Sequence, residues 1–281
     1  DELLRKPSLG SYDEMALTYR DVAELREERD RLQRTVEEVV ATVERVRTRL
    51  AETGADDDQI LAALEAVTDS ISEGADESDI YEEYVRRVRS WMRQWDLLHE
   101  ATQQFLPSGE YVLDFLPDTE NTDYSPFIIQ YCRALENELL QKLFIAYSFT
   151  FKDRFDDPSG VVESDLSDKK VEGKAGRFIR RVAKGDNTFT LGEMHWILQL
   201  VKPGGNTLSR SEVLQDFAEF IEEYFDERVR ASEYLSQIQK INEDYRRKAA
   251  HPHLLDLQVA RECQTAVRQC LNEFILSYHS G

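Results

Sequence analysis

The chain of 281 residues has 55 Asp and Glu against 35 Lys and Arg, a formal net charge of -20, and 41% of its residues are hydrophobic. This hydrophobic share is ample for a core and excludes a disordered chain, whereas the net charge repels nucleic acid unless a local basic surface exists. Gly (12) and Pro (7) are scarce, and apolar residues recur every three or four positions. This pattern predicts an all-α protein.

The sequence contains none of the motifs that would assign it to a membrane or to cofactor chemistry. It has no run of the roughly 18 to 20 apolar residues that a membrane-spanning helix needs, and it does not open with a basic-then-apolar leader, so we expect a soluble, cytoplasmic protein with no membrane contact. Three cysteines, Cys132, Cys263 and Cys270, are an odd number, which favours buried thiols over a disulfide framework or zinc site. HExxH, CxxC, GxSxG and the GxxxxGK[ST] phosphate loop are absent, so we expect no metal and no cofactor.

Residues 1–106 are predicted to form a long helical or coiled-coil module. In residues 13–52 apolar side chains follow a heptad seam, made of Leu25, Leu32, Val39 and Val46 with Val36, Val43 and Leu50 in the alternate position. The seam favours pairing with another helix, or a helix that lies along the rest of the fold. A further helix from about Ser78 to Phe105 carries an aromatic stripe that indicates core packing. Residues 107–125, which open with Pro107-Ser108-Gly109, are predicted to be a linker loop.

Residues 126–281 are predicted to form a second helical domain around the strongly apolar helix PFIIQYCRALENELLQKLFIAYSFTF. An insertion at 153–187 is expected, first acidic and turn-rich, then basic. Thr190 with Glu193, and Ser209 with Glu212, fit capping boxes that place helix starts near Leu191 and Arg210. The last two helices are predicted from Ser232 to about Ala250 and from Leu255 to Tyr278.

The basic part of the insertion is the densest cationic stretch of the chain. Lys174, Arg177, Arg180 and Arg181 are candidate RNA-binding residues, because clustered cations can neutralise several phosphates. A solvated face is the alternative, and so is a partner surface for residues 52–83, which hold twelve Asp and Glu and no Lys or Arg. The sequence leaves these interpretations open.

The joint between the last two helices reads INEDYRRKAAHPHL, from Ile241 to Leu254. Proline disfavours helical backbone in the residue before it, so the first helix should end near His251 with Arg246 in its last full turn. A histidine that titrates near neutrality can act as general acid or base, while an arginine holds a phosphate. These two side chains are the minimum set of groups that metal-independent RNA cleavage through the ribose 2′-hydroxyl requires.

This Arg-x4-His stretch between two long helices resembles the signature of the HEPN superfamily, and the helix YCRALENELLQKLFIAY resembles the first long helix of its domains. The resemblance covers roughly Pro126 to Tyr278. It implies a HEPN-like bundle that pairs as a homodimer with a composite site. Arg246 would bind the scissile phosphate of an RNA substrate, His251 would be the acid or base, and His253 is a second candidate for that role.

The position after the arginine, usually Asn, Asp or His in the family, holds Arg247, followed by Lys248; both are candidate RNA-binding residues. Two hypotheses follow. The chain is a metal-independent endoribonuclease effector of a prokaryotic antiviral-defence or toxin-antitoxin system. The alternative is a non-catalytic HEPN-like dimerisation or adaptor protein that binds a partner such as an ATPase, a sensor or an antitoxin.

Overall fold

The computed structural model describes residues 79–116, 119, 122–167, 171, 173–186, 188–203, 208–251 and 254–279, with the isolated positions 41 and 48. These residues confirm the all-α class, because they form helices and turns with a single antiparallel bridge between Phe225 and Tyr278. The residues of the heptad seam predicted in 13–52 all lie outside them. Within the described residues, no helix is both long and apolar enough to cross a membrane.

The first described helices are α1, Asp79–Trp91, and α2, Glu100–Phe115. The prediction of one helix from Ser78 to Phe105 is wrong, because a short 3-10 helix at Trp95–Leu97 separates them. His99 begins α2 as its N-cap: its ring Nδ1 accepts the backbone N–H of Ala101 at 3.2 Å. The aromatic stripe is core as predicted, since its inward-facing members are buried: Tyr84, Val88, Met92, Trp95 and Leu98.

Helix α2 runs through the predicted start of the linker, so that prediction is wrong over residues 107–115. Pro107 lies inside the helix despite its missing N–H, and Leu106, Val112 and Leu113 around it are buried in the core. Gly109 allows α2 to pack closely on the helix that carries Tyr131. A Cβ at this position would lie 2.8 Å from the Tyr131 ring, so a larger residue would push the two helices apart. The Pro-Ser-Gly stretch is therefore a helix contact and not a turn.

The predicted apolar helix is confirmed as the centre of the bundle. Helix α3, Ser125–Leu139, continues through a π-helical segment, Leu140–Ile145, into α4, Ala146–Thr150. Its inward-facing side chains are almost fully excluded from solvent: Phe127, Ile128, Tyr131, Cys132, Leu135, Leu139, Leu143 and Tyr147. Helices α1 to α4 and those that follow share one hydrophobic core. The division into two domains remains a prediction.

The predicted insertion loop is largely helical. After a 3-10 turn at Phe151–Asp153 come α5, Pro158–Ser167, and α6, Lys174–Lys184. Helix α6 buries Ala175, Phe178, Ile179 and Val182 in the common core. It ends at Gly185, whose left-handed backbone (φ 69°) is a common glycine C-cap.

Helices α7, Leu191–Leu200, and α8, Glu212–Tyr224, follow. Thr190 and Glu193 form the predicted capping box at α7. The second capping box is wrong, since α8 begins two residues later than predicted and its N-cap is Ser211. The cause is a residue of α5: buried Asp165 accepts the hydroxyl of Ser211 at 2.6 Å and the backbone N–H groups of Glu212 and Val213, both at 3.0 Å.

The last helical pair is confirmed. Helix α9, Ser232–Lys240, continues through a second π-helical segment, Ile241–Arg246, into α10, Arg247–Ala250, and α11 spans Leu257–Ser277. Helix α10 ends at His251, whose extended backbone (φ -86°, ψ 158°) is what the following proline requires. The three cysteines are free and buried as predicted, and the sulfurs of Cys132 and Cys263 lie 4.0 Å apart between α3 and α11.

Candidate functional site

The guanidinium of Arg246 is held inside the bundle by Glu136 of α3. Its Nε lies 3.0 Å from Glu136 Oε2 and its Nη2 lies 3.0 Å from Oε1, a bidentate ion pair. Both side chains are largely buried, with 8% of the Arg246 side chain and 12% of the Glu136 side chain exposed. Such paired, nearly parallel hydrogen bonds are the strongest contact a guanidinium makes with a carboxylate.

Glu136 also fixes a third segment of the chain. Its Oε1 accepts the backbone N–H of Leu191, the first residue of α7, at 2.6 Å. A carboxylate at a helix N-terminus is stabilised by the unpaired N–H groups and the helix dipole there. Close packing continues beside it, since a Cβ on Gly192 would lie 3.1 Å from the Asn242 side chain in the π-helical segment. Glu136 therefore joins α3, α7 and the segment that carries Arg246.

The π-helical geometry at Ile241–Arg246 explains how an arginine near a helix end comes to point inward. A π turn holds one residue more than an α turn, so the side chains after it are rotated relative to those before it. Ile241, Tyr245 and Arg246 are all buried, whereas Glu243 is exposed. The turn directs Arg246 to the carboxylate of α3.

His251 lies at the C-terminal end of α10, half-buried, and its backbone N–H donates to Lys248 O at 3.1 Å. The structure thus places His251 where the sequence predicted it, at the joint that follows the turn of Arg246. The other histidine candidate, His253, lies outside the described residues.

The residues between Arg246 and His251 divide into two faces. Arg247 and Lys248 are exposed, and the Lys248 Nζ pairs with Asp244 Oδ1 at 3.1 Å. Ala249 and Ala250 are buried, and α10 packs on α3 through this small-residue face. The cations that could contact RNA therefore face solvent, while the alanines allow the close helix approach that brings Arg246 to Glu136.

The four candidates on α6 are brought together on one helix next to α7. Lys174, Arg177 and Arg180 are exposed, and Arg181 is partly buried. Arg177 Nη1 lies 3.2 Å from Glu193 Oε1, and Arg181 Nη1 lies 2.9 Å from Glu193 Oε2. Glu193 belongs to the first turn of α7, whose Leu191 N–H is bound by Glu136. One helical turn thus separates the cations of α6 from the Arg246 pair.

The remaining described histidines have structural surroundings. His99 caps α2, and the backbone N–H of His279 donates to Tyr224 O at 2.8 Å. His195, on α7, is half-buried, and its Nε2 lies 3.3 Å from Gln199 Nε2. Burial lowers the pKa of His195 below its ordinary value; Lys174 lowers it further and Glu243 opposes the shift.

Sequence reasoning missed Glu136, the residue on which the site depends. It lies on α3 next to the predicted apolar face, between Leu135 and Leu139, where a carboxylate needs a buried partner. A carboxylate at this position of an apolar helix could therefore have been recognised from the sequence as a candidate site residue. Its partner could not be identified, because Arg246 is 110 residues away. Glu193 was identified as part of a capping box, but not as the partner of Arg177 and Arg181.

The arrangement has specific chemical consequences. Arg246 is committed to a carboxylate, His251 is half-buried at the end of α10, and the exposed cations lie on α10 and α6. The described residues contain no group of three or more His, Cys, Asp or Glu side chains that could hold a metal ion. Comparisons with family models, with curated proteins and with solved structures each find no match.

Proposed function

We propose that this chain is a non-catalytic HEPN-like dimerisation and adaptor protein, in which Arg246 holds the bundle together. The observation that carries the proposal is the buried, bidentate pair of Arg246 with Glu136. To bind a scissile phosphate, the guanidinium would have to exchange this carboxylate for the phosphate. Glu136 would then remain, negatively charged and nearly buried, beside a second anion, which is unfavourable.

The same part of the chain offers an apolar contact to a second copy. Leu254 lies at the helical joint, three residues before the start of α11, and 53% of it is exposed. Large apolar side chains are common anchors of protein interfaces when they lie among polar neighbours. The polar residues Arg247, Lys248 and His251 precede Leu254 along the chain. We therefore place the pairing surface at the joint, where the family resemblance also expects it.

A metal-independent endoribonuclease is the second candidate, and one observation favours it. His251 is half-buried at the end of α10, and the exposed Arg247 and Lys248 precede it. In this case Glu136 would orient Arg246 for an incoming phosphate. The acid or base would be His251 or His253.

Cleavage of labelled tRNA and total RNA in the presence of EDTA separates the two functions. For the adaptor we expect no more cleavage by the wild-type chain than by Arg246→Ala, His251→Ala and His253→Ala, and no slowing of growth on expression. The nuclease is supported instead if the wild-type chain leaves 2′,3′-cyclic phosphate ends and Arg246→Ala and one histidine variant, still folded by circular dichroism, do not.

Sedimentation equilibrium of the same preparations tests the adaptor function directly, because it measures whether two chains associate. We expect the mass of two chains, and we expect Leu254→Glu to raise the dimer dissociation constant at least tenfold, because a charge would be placed in the contact. Leu276→Glu is the matched control, an exposed leucine on α11 (44%) away from the joint. An equal effect of the two substitutions, or a wild-type monomer at all concentrations, contradicts pairing through the joint.

A further inference from the structure

Helix α6 has two sharply different faces. One is buried in the common core, and the other carries four exposed cations on successive turns; we call this second set the basic face, and it consists of Lys174, Arg177, Arg180 and Lys184. The cations cannot turn inward without exposing the opposite face of the helix, because Phe178, Ile179 and Val182 are buried in the core. The basic face is therefore a fixed feature of the surface.

The carboxylates around α6 satisfy only part of its charge. Glu193 is shared by Arg177 and Arg181, and the Arg177 side chain is still 60% exposed. Lys174 Nζ lies over the Trp196 ring at 5.5 Å from its centroid. Among the described residues, none forms an ion pair with Arg180 or Lys184 in the structure. The face therefore has unused capacity for anions.

The chain itself supplies a polyanion of suitable charge. Residues 52–77 contain no Lys or Arg and nine carboxylates, namely Glu52, Asp56, Asp57, Asp58, Glu65, Asp69, Glu73, Asp76 and Glu77. This acidic segment ends two residues before the start of α1. Even when wholly helical, twenty-six residues span about 39 Å, and a compact domain of about 200 residues has a radius of gyration of only about 16 Å. The acidic segment is therefore long enough to contact α6.

Two physical arguments favour this occupant over a free nucleic acid. A tethered segment competes at an effective concentration on the order of millimolar, without the translational entropy cost of a separate molecule. The net charge of -20 also repels a free polyanion as it approaches. We propose that the basic face of α6 binds the acidic segment 52–77 of the same chain.

Zero-length carbodiimide cross-linking of the full chain tests the contact directly, because it joins lysine amines to carboxylates only where they touch. At low micromolar protein we expect peptides that link Lys174 or Lys184 to residues 52–77. We expect their yield to fall at least fivefold in 1 M NaCl, where screening acts within about 3 Å. Lys240, an exposed lysine on α9, is the matched control and should give few such links.

An equal-mass mixture of ¹⁴N- and ¹⁵N-labelled chains shows whether the links are intramolecular. Links within one isotope class support the proposal, whereas mixed-isotope links assign the contact to two copies and overturn it. Equal links to Lys240, or none from α6, overturn it as well.

Binding of a fluorescent single-stranded RNA gives an independent readout. Changing the nine carboxylates of the acidic segment to their amides should free the basic face and tighten RNA binding at least tenfold, and Arg180→Ala with Lys184→Ala should reverse the gain. If the unmodified chain already binds RNA through Arg180 and Lys184 as tightly as the amide variant, the face is an open nucleic-acid surface and the proposal is wrong.

Discussion

Arg246 shows how a residue type that suggests chemistry can instead hold a fold together. Its charge lies at the end of a helix, where an arginine usually faces solvent and interacts with the terminal carbonyl groups. Here the π-helical turn directs it inward to Glu136, and the two charges neutralise one another with little access to water. Removal of either partner would leave the other charged and buried.

The first prediction follows from this arrangement. Arg246→Ala and Glu136→Ala should each lower the free energy of unfolding by about 3–5 kcal/mol, because each leaves an uncompensated buried charge. The double variant should lose clearly less than the sum of the two single losses. Urea denaturation of the four proteins measures this cycle, and additive losses would show that the pair is not coupled.

Arg246→Lys is the informative control, because it keeps the charge and removes the fork that gives the bidentate contact. We expect an intermediate loss of stability. A lysine variant as stable as the wild-type chain would mean that the charge alone is needed.

His195 gives a prediction at the same scale. Its folded pKa is lowered by burial, whereas the unfolded chain has the ordinary value of about 6.5. Between these two values the unfolded state binds more protons, so stability should rise with pH through this window and fall as the solution becomes more acidic.

Urea denaturation of the wild-type chain and of His195→Gln at several pH values from 7.5 to 5.5 measures this effect. Gln cannot be protonated and keeps a polar group near Gln199. The wild-type chain should lose more stability than the variant on acidification, and parallel curves would exclude a contribution from His195.

At the scale of elements, the helix ends show what local sequence can predict. Thr190 and Glu193 bond to one another's backbone within one turn, and the sequence alone places the start of α7. Pro252 acts on its neighbour, and His251 is the end of α10 as predicted. The start of α8 could not be predicted in this way, because its cap is completed by Asp165, which lies 46 residues before Ser211.

Asp165 leads to a prediction for α8. Its carboxylate accepts one hydroxyl and two backbone N–H groups at the start of the helix. Asp165→Ala should lower the free energy of unfolding by about 1–3 kcal/mol, because buried donors lose their acceptor. Asp165→Asn should lose less, since its carbonyl oxygen still accepts. Ser164→Ala, an exposed neighbour, is the control in thermal denaturation, and a loss equal to that of Asp165→Ala would contradict the capping role.

Helix α2 is a second element that local sequence does not predict. Pro107, Ser108 and Gly109 are turn formers when considered alone. In the fold Gly109 packs against the Tyr131 ring and Glu110 is buried, where it pairs with Tyr131, Gln264 and Arg268. Contacts with α3 and α11 thus override the local preference for a turn. Local propensity is a weak guide wherever such tertiary contacts exist.

For the whole molecule, the sequence predicts the class and the apolar centre, because both depend on periodicities that recur along the chain. The arrangement of charges is different. The same numbers of acidic and basic residues are compatible with an Arg246 that is exposed to RNA and with an Arg246 that is paired with a carboxylate. Only the packing of α3 against α10 decides between the two arrangements. The location of the basic face follows from the packing of α6 in the same way.

The contacts of Glu136 also bear on the order in which the chain folds. They join residues 55 and 110 positions apart, and such distant contacts form late, because long loops must close first. At synthesis rates of about 5–20 residues per second, Arg246 follows Glu136 out of the ribosome by roughly 5 to 20 seconds. During that interval the central helix carries a carboxylate without its cation, so the bundle cannot close around α3 until the joint has been made.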